Sequence, residues 1–228
     1  MSGYVVGDTE VADTFAEAFP MRFARLLITA ATETWALEAA RSMTGFATSV
    51  IGCKCEAAIE CLLTSSETPD GRPGAAVLLF AMDREGVGKR VLERVGQSVM
   101  TCPTTACFDG LAGAERTVPL GRSLRYFGDG FQASKVIAGQ RFWRIPVMEG
   151  EFLVCESVGV GHGVGGGNLV IGAGDEDVAL AAAQAAAEAM RRGLHAAAGA
   201  GATHLTAANF GGKLGQFHFP LSELRDPP

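Results

Sequence analysis

No cluster of lysine and arginine stands anywhere in the 228 residues, and acids outnumber bases 25 to 19, for a net charge of −6. A nucleic-acid binder needs a basic stripe to neutralise phosphates, so that class is excluded. No apolar run approaches the ~18–20 residues that span a bilayer. Met1 to Asp13 lacks the bulky apolar core of a signal peptide and carries acids, which points to a cytoplasmic chain without membrane attachment. Zinc-type cysteine spacing is missing too. The six cysteines stand at 53, 55, 61, 102, 107 and 155. Cys53 and Cys55 flank a single residue, Lys54, whereas zinc sites favour a spacer of roughly two to four residues and a second ligand pair. They read as free, mostly buried thiols of a reducing compartment, with no metal site. The histidines (162, 195, 204, 218) show no ligand spacing, and no Gly-x-Ser-x-Gly elbow supplies a serine nucleophile.

What is present is a folded chain: 48% hydrophobic, 19% charged and unusually rich in glycine, with 30 residues. Tight turns and close backbone approaches follow from that content. Met21 to Ala30 reads as a strand. Thr32 to Met43 reads as a helix with Trp35, Leu37, Ala39 and Met43 as its buried stripe, and Thr48 to Cys53 as a returning strand. After a turn at Pro69 to Gly74, Ala75 to Met82 is a buried strand. Val87 to Val99 is a helix with Val91, Val95 and Val99 spaced four apart. Ser134 to Ile137 and Gln140 to Ile145 form a hairpin around Ala138-Gly139. Glu151 to Val160 and Asn168 to Ile171 are further strands, separated by a glycine turn at 159 to 167. Asp175 is the N-cap of a long helix, because the 36 residues from Ala173 to Ala208 hold sixteen alanines and alanine is the best helix former. Gly193 either ends or interrupts it. Thr203 to Ala208 and Gln216 to Leu221 close the chain as strands. Repeated β-α-β segments followed by hairpins indicate layered α+β lobes rather than a doubly wound parallel sheet.

Two glycine motifs invite a nucleotide reading and fail it. Gly161-x-Gly163-x-x-Gly166 is followed by a strand, whereas the dinucleotide fingerprint must open a helix. Gly211-Gly212-Lys213 has Ala207 and Leu214 where a phosphate loop needs glycine and Ser or Thr. Lys213 is then either a contact to a carboxylate or oxyanion or a solvated loop lysine. His162, inside the glycine segment, is a minor candidate for a base. The Asp70 and Asp129 turns are structural by default, with ligand contact as the minority reading.

Six segments in order carry a more specific signal. They are Asp13-Thr14-Phe15-Ala16-Glu17-Ala18-Phe19, Thr44-Gly45-Phe46-Ala47-Thr48-Ser49-Val50-Ile51, Glu67-Thr68-Pro69-Asp70-Gly71-Arg72-Pro73-Gly74, Tyr126-Phe127-Gly128-Asp129-Gly130-Phe131, Glu149-Gly150-Glu151-Phe152 and Ala208-Asn209-Phe210-Gly211-Gly212-Lys213-Leu214-Gly215. Together they closely resemble the formylmethanofuran–tetrahydromethanopterin formyltransferase family, and Arg141 to Pro146 is most similar to its methylotrophic-bacterial branch. The resemblance covers Asp13 to about Arg192 and Gly193 to about Leu224. Between these blocks family members carry a long insert that is absent here.

The resemblance implies an α+β fold of two lobes with mainly antiparallel sheets, a ferredoxin-like layered sandwich. Residues 1–150 would form a proximal lobe, and 151–228 a shortened distal lobe with the closing glycine-rich loop. It implies formyl transfer between formylmethanofuran and N5 of tetrahydromethanopterin in one-carbon metabolism. Both are substrates, with no metal and no prosthetic group. Partners would be further copies of the chain, as dimer or tetramer, and the other subunits of a formyltransferase/hydrolase complex. An unpaired edge in a shortened sheet also favours an oligomer. Lys213 and Asn209 are expected as donors near the formyl oxygen or a substrate carboxylate. Gly165, Gly166, Gly167 and Asn168 are expected as backbone contacts, and Thr48, Ser49 and Asp129 as polar pocket walls. Asp70, Arg72, Phe210, Gly211 and Gly212 complete the expected substrate-binding set. The alternatives are a catalytically silent binding or scaffold subunit of such a complex, or transfer of another acyl group to another amine.

Overall fold

The computed structural model describes residues 3–12, 19–111, 113–171, 173–196, 204–209 and 214–220. Strands β1 (Gly3–Val6) and β2 (Thr9–Ala12) form a small hairpin of their own. There follow β3 (Phe19–Thr29), α1 (Glu33–Thr44), β4 (Thr48–Ser49), α2 (Val50–Cys53), β5 (Cys55–Leu63), β6 (Gly74–Ala81), α3 (Arg84–Arg94) and β7 (Ala106–Asp109). The order continues with β8 (Arg116–Pro119), α4 (Gly121–Leu124), β9 (Ala133–Ile137), β10 (Gln140–Val147), β11 (Gly150–Cys155), β12 (Ser157–Val170), α5 (Glu176–Ala196), β13 (His204–Asn209) and β14 (Leu214–Pro220).

Twelve of these strands make one mixed sheet with β3 at its centre. One edge of β3 pairs with β6, which leads to β5 and β4. Its other edge is divided: Phe19 to Phe23 pair with β12, and Leu26 to Thr29 pair with β7. From β12 the sheet continues through β14 to β13, and from β7 through β11, in parallel, to β10 and β9. The observed architecture is therefore a mixed α/β fold on a large mixed sheet.

Helices α1 and α3 cover one face. Thr32 caps α1 by accepting from the Trp35 N–H at 3.3 Å, and Asp83 caps α3 by accepting from Gly86 at 2.7 Å; each satisfies one orphan donor of a helix start. The stripe expected on α1 is corrected. Ala36, Ala39, Ala40 and Met43 are buried while Trp35 is exposed. These follow the i, i+3, i+4, i+7 helical period, and the small alanines bring the helix close to the sheet. On α3, Val87 and Val91 are buried, and Val95 and Val99 continue the stripe along a π turn. Each buried valine contributes about 1.5–3 kcal/mol. They pack with Ala24, Leu26, Ile28, Val77 and Leu79 of β3 and β6.

Other expectations change as well. Strand β4 stops after Ser49, because its hydroxyl accepts from Ile51 and Gly52 N–H and caps α2. Strand β5 has no counterpart among the elements expected from the sequence. Strand β6 matches expectation, with every residue from Gly74 to Ala81 buried, although Met82 is exposed. The hairpin at Ala138-Gly139 is present with both residues at positive φ, +50° and +81°, which suits the twist of the flanking strands. Helix α5 begins at its Asp175 cap (Val178 N–H at 2.9 Å) and runs through Gly193.

The largest correction concerns the glycine segment. Residues 159 to 167 are not a turn but the middle of one long strand, β12, with an irregularity between Val164 and Gly167. Val158, Val160, His162 and Val164 alternate with Gly159, Gly161, Gly163 and Gly165, so the glycines share one face. They serve close approach. A Cβ on Gly159 would lie 2.7 Å from the Leu111 carbonyl oxygen, and one on Gly161 would lie 2.6 Å from the Phe23 ring.

Candidate functional site

The sheet face away from α1 and α3 carries chemistry that the helical face lacks. Thr48, Glu56, Phe80, Phe23 and Gly161 are directly paired across β4, β5, β6, β3 and β12. Residues paired in antiparallel ladders point to the same side. Phe23 and Phe80 stack with centroids 5.3 Å apart, and Met21, Leu78, Val50 and Leu111 pack around them. Gly161, Gly163 and Gly165 extend this surface as a smooth strip without side chains.

Two carboxyls sit in this floor. Glu56 is 3% exposed and accepts the Val50 N–H at 3.0 Å, which ties α2 to β5. Burial raises its pKa, with the Val50 N–H opposing. Glu60, at the irregularity of β5, pairs with the Arg25 guanidinium at 2.6 Å, and Arg25 also donates to the Gly110 carbonyl at 3.2 Å. Burial raises Glu60 as well, despite Arg25. Sequence reasoning singled out neither acid. The available signal was two glutamates four apart in the otherwise apolar run Cys55 to Leu63.

The structure brings part of the expected site together. Strand β13, which ends at Asn209, returns beside β5 and beside β4, the strand of Thr48 and Ser49. Gly165, Gly167 and Asn168 lie on β12, where Gly167 and Asn168 pair with β14, while Gly166 sits at the irregularity. Asn209 pairs with Leu214 at the mouth of the β13–β14 hairpin. Phe210, Gly211, Gly212 and Lys213 lie outside the described residues. Ser49 is occupied in capping α2, whereas Thr48 is exposed.

Other candidates stand apart. Asp70 and Arg72 flank the start of β6, six residues along β3 from Phe23, about 20 Å away at ~3.4 Å per residue. They are bound to each other (Nε to Oδ2, 2.8 Å), to the buried Thr29 and to the Thr104 carbonyl. This cluster locks the turn to β3. Asp129 is exposed, with left-handed backbone (φ +49°), in the turn that packs on β10. In sheet order, five strands separate β10 from β4. His162 points away from the Phe23 face and hydrogen-bonds Arg22 across the β12–β3 ladder. Among the described residues, no group of three His, Cys, Asp or Glu is arranged to hold a metal ion, and no helix is long and apolar enough to cross a membrane.

Comparison with known proteins shows the family to which the chain belongs. The family model for formylmethanofuran-tetrahydromethanopterin formyltransferase matches residues 5–147. A second, described as its proximal lobe, matches 150–192 and 184–224. The two latter matches overlap within α5, which places the junction of two family segments inside one helix. The formyltransferase of Methylococcus capsulatus is 56% identical over 188 residues, 82% of this chain and 63% of that protein. A component of the Methylorubrum extorquens formyltransferase/hydrolase complex is 37% identical over 310 aligned positions, spanning 100% of this chain and 99% of that protein. Among solved structures, that complex with methylofuran superposes with a TM-score of 0.80 at 46% identity, covering 83% of this chain and 63% of the matched one. The Methanosarcina barkeri enzyme gives 0.72 at 50% identity, covering 77% and 59%. In several of these matches the chain spans less than two thirds of its relative's length.

Proposed function

The chain belongs to the formylmethanofuran–tetrahydromethanopterin formyltransferase family, and from that premise we propose that it moves a formyl group between the amine of methanofuran and N5 of tetrahydromethanopterin. The observation that carries the reading is 56% identity over 188 residues to a formyltransferase, with the motifs on both sides of the missing segment retained. An amine attacks a formamide carbon, a C–N bond forms, another breaks, and a proton passes from the attacking to the departing nitrogen. The protein must align two large substrates, stabilise a tetrahedral oxyanion and hold that proton. In this reading Lys213 and Asn209 face the oxyanion or a substrate carboxylate. Thr48 and Ser49 line the pocket, and the Gly165 to Asn168 backbone borders it, with Phe210, Gly211 and Gly212. Asp70, Arg72 and Asp129 act at a distance, as holders of turns.

The reaction draws on no prosthetic group, and methanofuran or an analogue and the pterin are its two substrates. Residues 1–150 and 151–228 form the two lobes, the second one shortened, in a ferredoxin-like and mainly antiparallel layering. The chain works in the cytoplasm of a methylotroph as a dimer or tetramer, beside the other subunits of a formyltransferase/hydrolase complex. Formyl transfer by the full chain, followed by pterin absorbance, tests the activity, and Lys213→Ala should lower it. Unchanged turnover in that variant removes Lys213 from the site. The shortfall in length against the relatives favours a second reading, a silent binding subunit of such a complex. Pterin binding without turnover would select it.

A further inference from the structure

We propose that Phe46 is a stacking platform for the flat ring of tetrahydromethanopterin and so sets the affinity for the pterin substrate. The inference rests on the formyl-transfer reading above. Phe46 stands two residues before Thr48, in the segment that joins α1 to β4, and its side chain is 83% exposed. Its backbone is left-handed, with φ +49°. For a bulky side chain that conformation is an outlier, and it persists only where the surroundings impose it. Here they do. The Arg94 guanidinium, from the end of α3, donates to the carbonyls of Met43, Gly45 and Phe46 at 2.5, 2.7 and 2.9 Å. The next residue, Ala47, is buried, and its carbonyl accepts the Ala57 N–H of β5 at 2.9 Å.

A strained backbone that presents a large apolar ring to solvent serves neither packing nor solubility. The bonds from Arg94 and from β5 keep this segment from relaxing, so the ring is offered in a fixed place. Ile51, on α2, is 82% exposed as well. Along the chain these two apolar side chains bracket Thr48 and Ser49, polar residues of the candidate site. A flat heteroaromatic ring suits this chemistry, because it covers an aromatic face by stacking, as nucleic-acid bases do on protein aromatics. Of the two substrates, the pterin carries such a ring beside the N5 that meets the formyl carbon. Phe46 contributes binding and no chemistry, and Arg94 acts through it as a positioning residue.

The test is steady-state kinetics of the full chain with formylmethanofuran and tetrahydromethanopterin, for wild type and Phe46→Ala, Phe46→Leu, Phe46→Tyr and Phe46→Trp. Phe46→Ala should raise KM for the pterin about tenfold or more. Its kcat and its KM for formylmethanofuran should stay within about threefold of wild type, the mark of lost binding alone. Tyrosine should restore the pterin KM, whereas leucine, apolar but not aromatic, should not. Arg94→Lys should raise the pterin KM too and add little to Phe46→Ala, because both remove one platform. Fluorescence of Phe46→Trp should be quenched by tetrahydromethanopterin beyond any change at Trp35 and Trp143 in the parent chain. An unchanged pterin KM in Phe46→Ala, or equal rises for both substrates, overturns the platform and leaves the formyl-transfer reading intact. If Phe46→Ala does not fold, a wild-type pterin KM in Phe46→Leu overturns it equally. A folded wild type without turnover removes the formyl-transfer reading. Quenching of Phe46→Trp by the pterin then still upholds the platform, and no quenching removes it as well.

Discussion

Gly161 lies against Phe23 across the β12–β3 ladder so closely that a Cβ on the glycine would stand 2.6 Å from Cε1 and 2.9 Å from Cζ of the ring. Phe23 in turn stacks on Phe80, so the ring has little room to retreat. Gly161→Ala should destabilise the chain by about 1–3 kcal/mol through overpacking. Phe23→Leu in the same background should recover part of that loss. Urea denaturation of the single and double variants measures both; an unchanged midpoint for Gly161→Ala would mean that the strand is not seated there.

Arg94 closes the C-terminus of α1 from a distant helix. Its guanidinium donates to the carbonyls of Met43 (2.5 Å), Gly45 (2.7 Å) and Phe46 (2.9 Å), and Phe46 holds a left-handed backbone with φ +49°. Lysine cannot reproduce this fork. Arg94→Lys should therefore cost about 1.5–3 kcal/mol in chemical denaturation, and protease cleavage near Phe46 should rise.

Asp109 is half-buried and accepts the Leu111 N–H at 3.0 Å, yet burial outweighs that bond and raises its pKa. The folded state then binds a proton that the unfolded state has released, so stability falls as pH rises from about 4 through the folded titration. Asp109→Asn should match wild type below that window and exceed it above. Glu67 and Glu151, held below the usual carboxyl range by Thr64 and Arg144, act with the opposite sign and at lower pH. Denaturant midpoints for both proteins from pH 4 to 8 are the check, and a constant difference across that range would count against the assignment.

Cys155 is pushed up to about 12 and Cys107 well above its ordinary value, both mainly by burial. Thiolate is the reactive form. In the native chain at pH 8 these two should resist iodoacetamide while the partly exposed Cys53 reacts, and both should label once denaturant is added. Mass spectrometry of the alkylated peptides distinguishes the sites.

Local chemistry was legible wherever a residue acts on its own neighbours. Thr32 and Asp175 mark helix starts, Ala138-Gly139 marks a hairpin, and the apolar run at Ala75 marks a strand buried throughout. Periodicity misled where two readings share the same letters. The glycines from 159 to 167 suggested a turn by composition, although their strict alternation with Val158, Val160, His162 and Val164 has the period of a strand. Trp35 drew attention by size, but the helical period places Ala36 and Ala40 inside instead. Strand β5 went unread because its two glutamates broke an apolar pattern, and those glutamates are the buried acids of the candidate site.

By itself the sequence determined the helix caps, the tight turns, the strand content of most segments and the family, since each rests on short-range geometry or on ordered motifs. The tertiary structure decided which residues meet. Thr48, Glu56, Phe80, Phe23 and Gly161 form one row only because β3 divides its partners between β12 and β7 and takes β6 on its other edge. The fork of β3 also sets Asp70 and Arg72 at the far end of the strands and leaves Asp129 on another part of the sheet. Strand order and register depend on long-range pairing, and no local pattern in the chain encodes them.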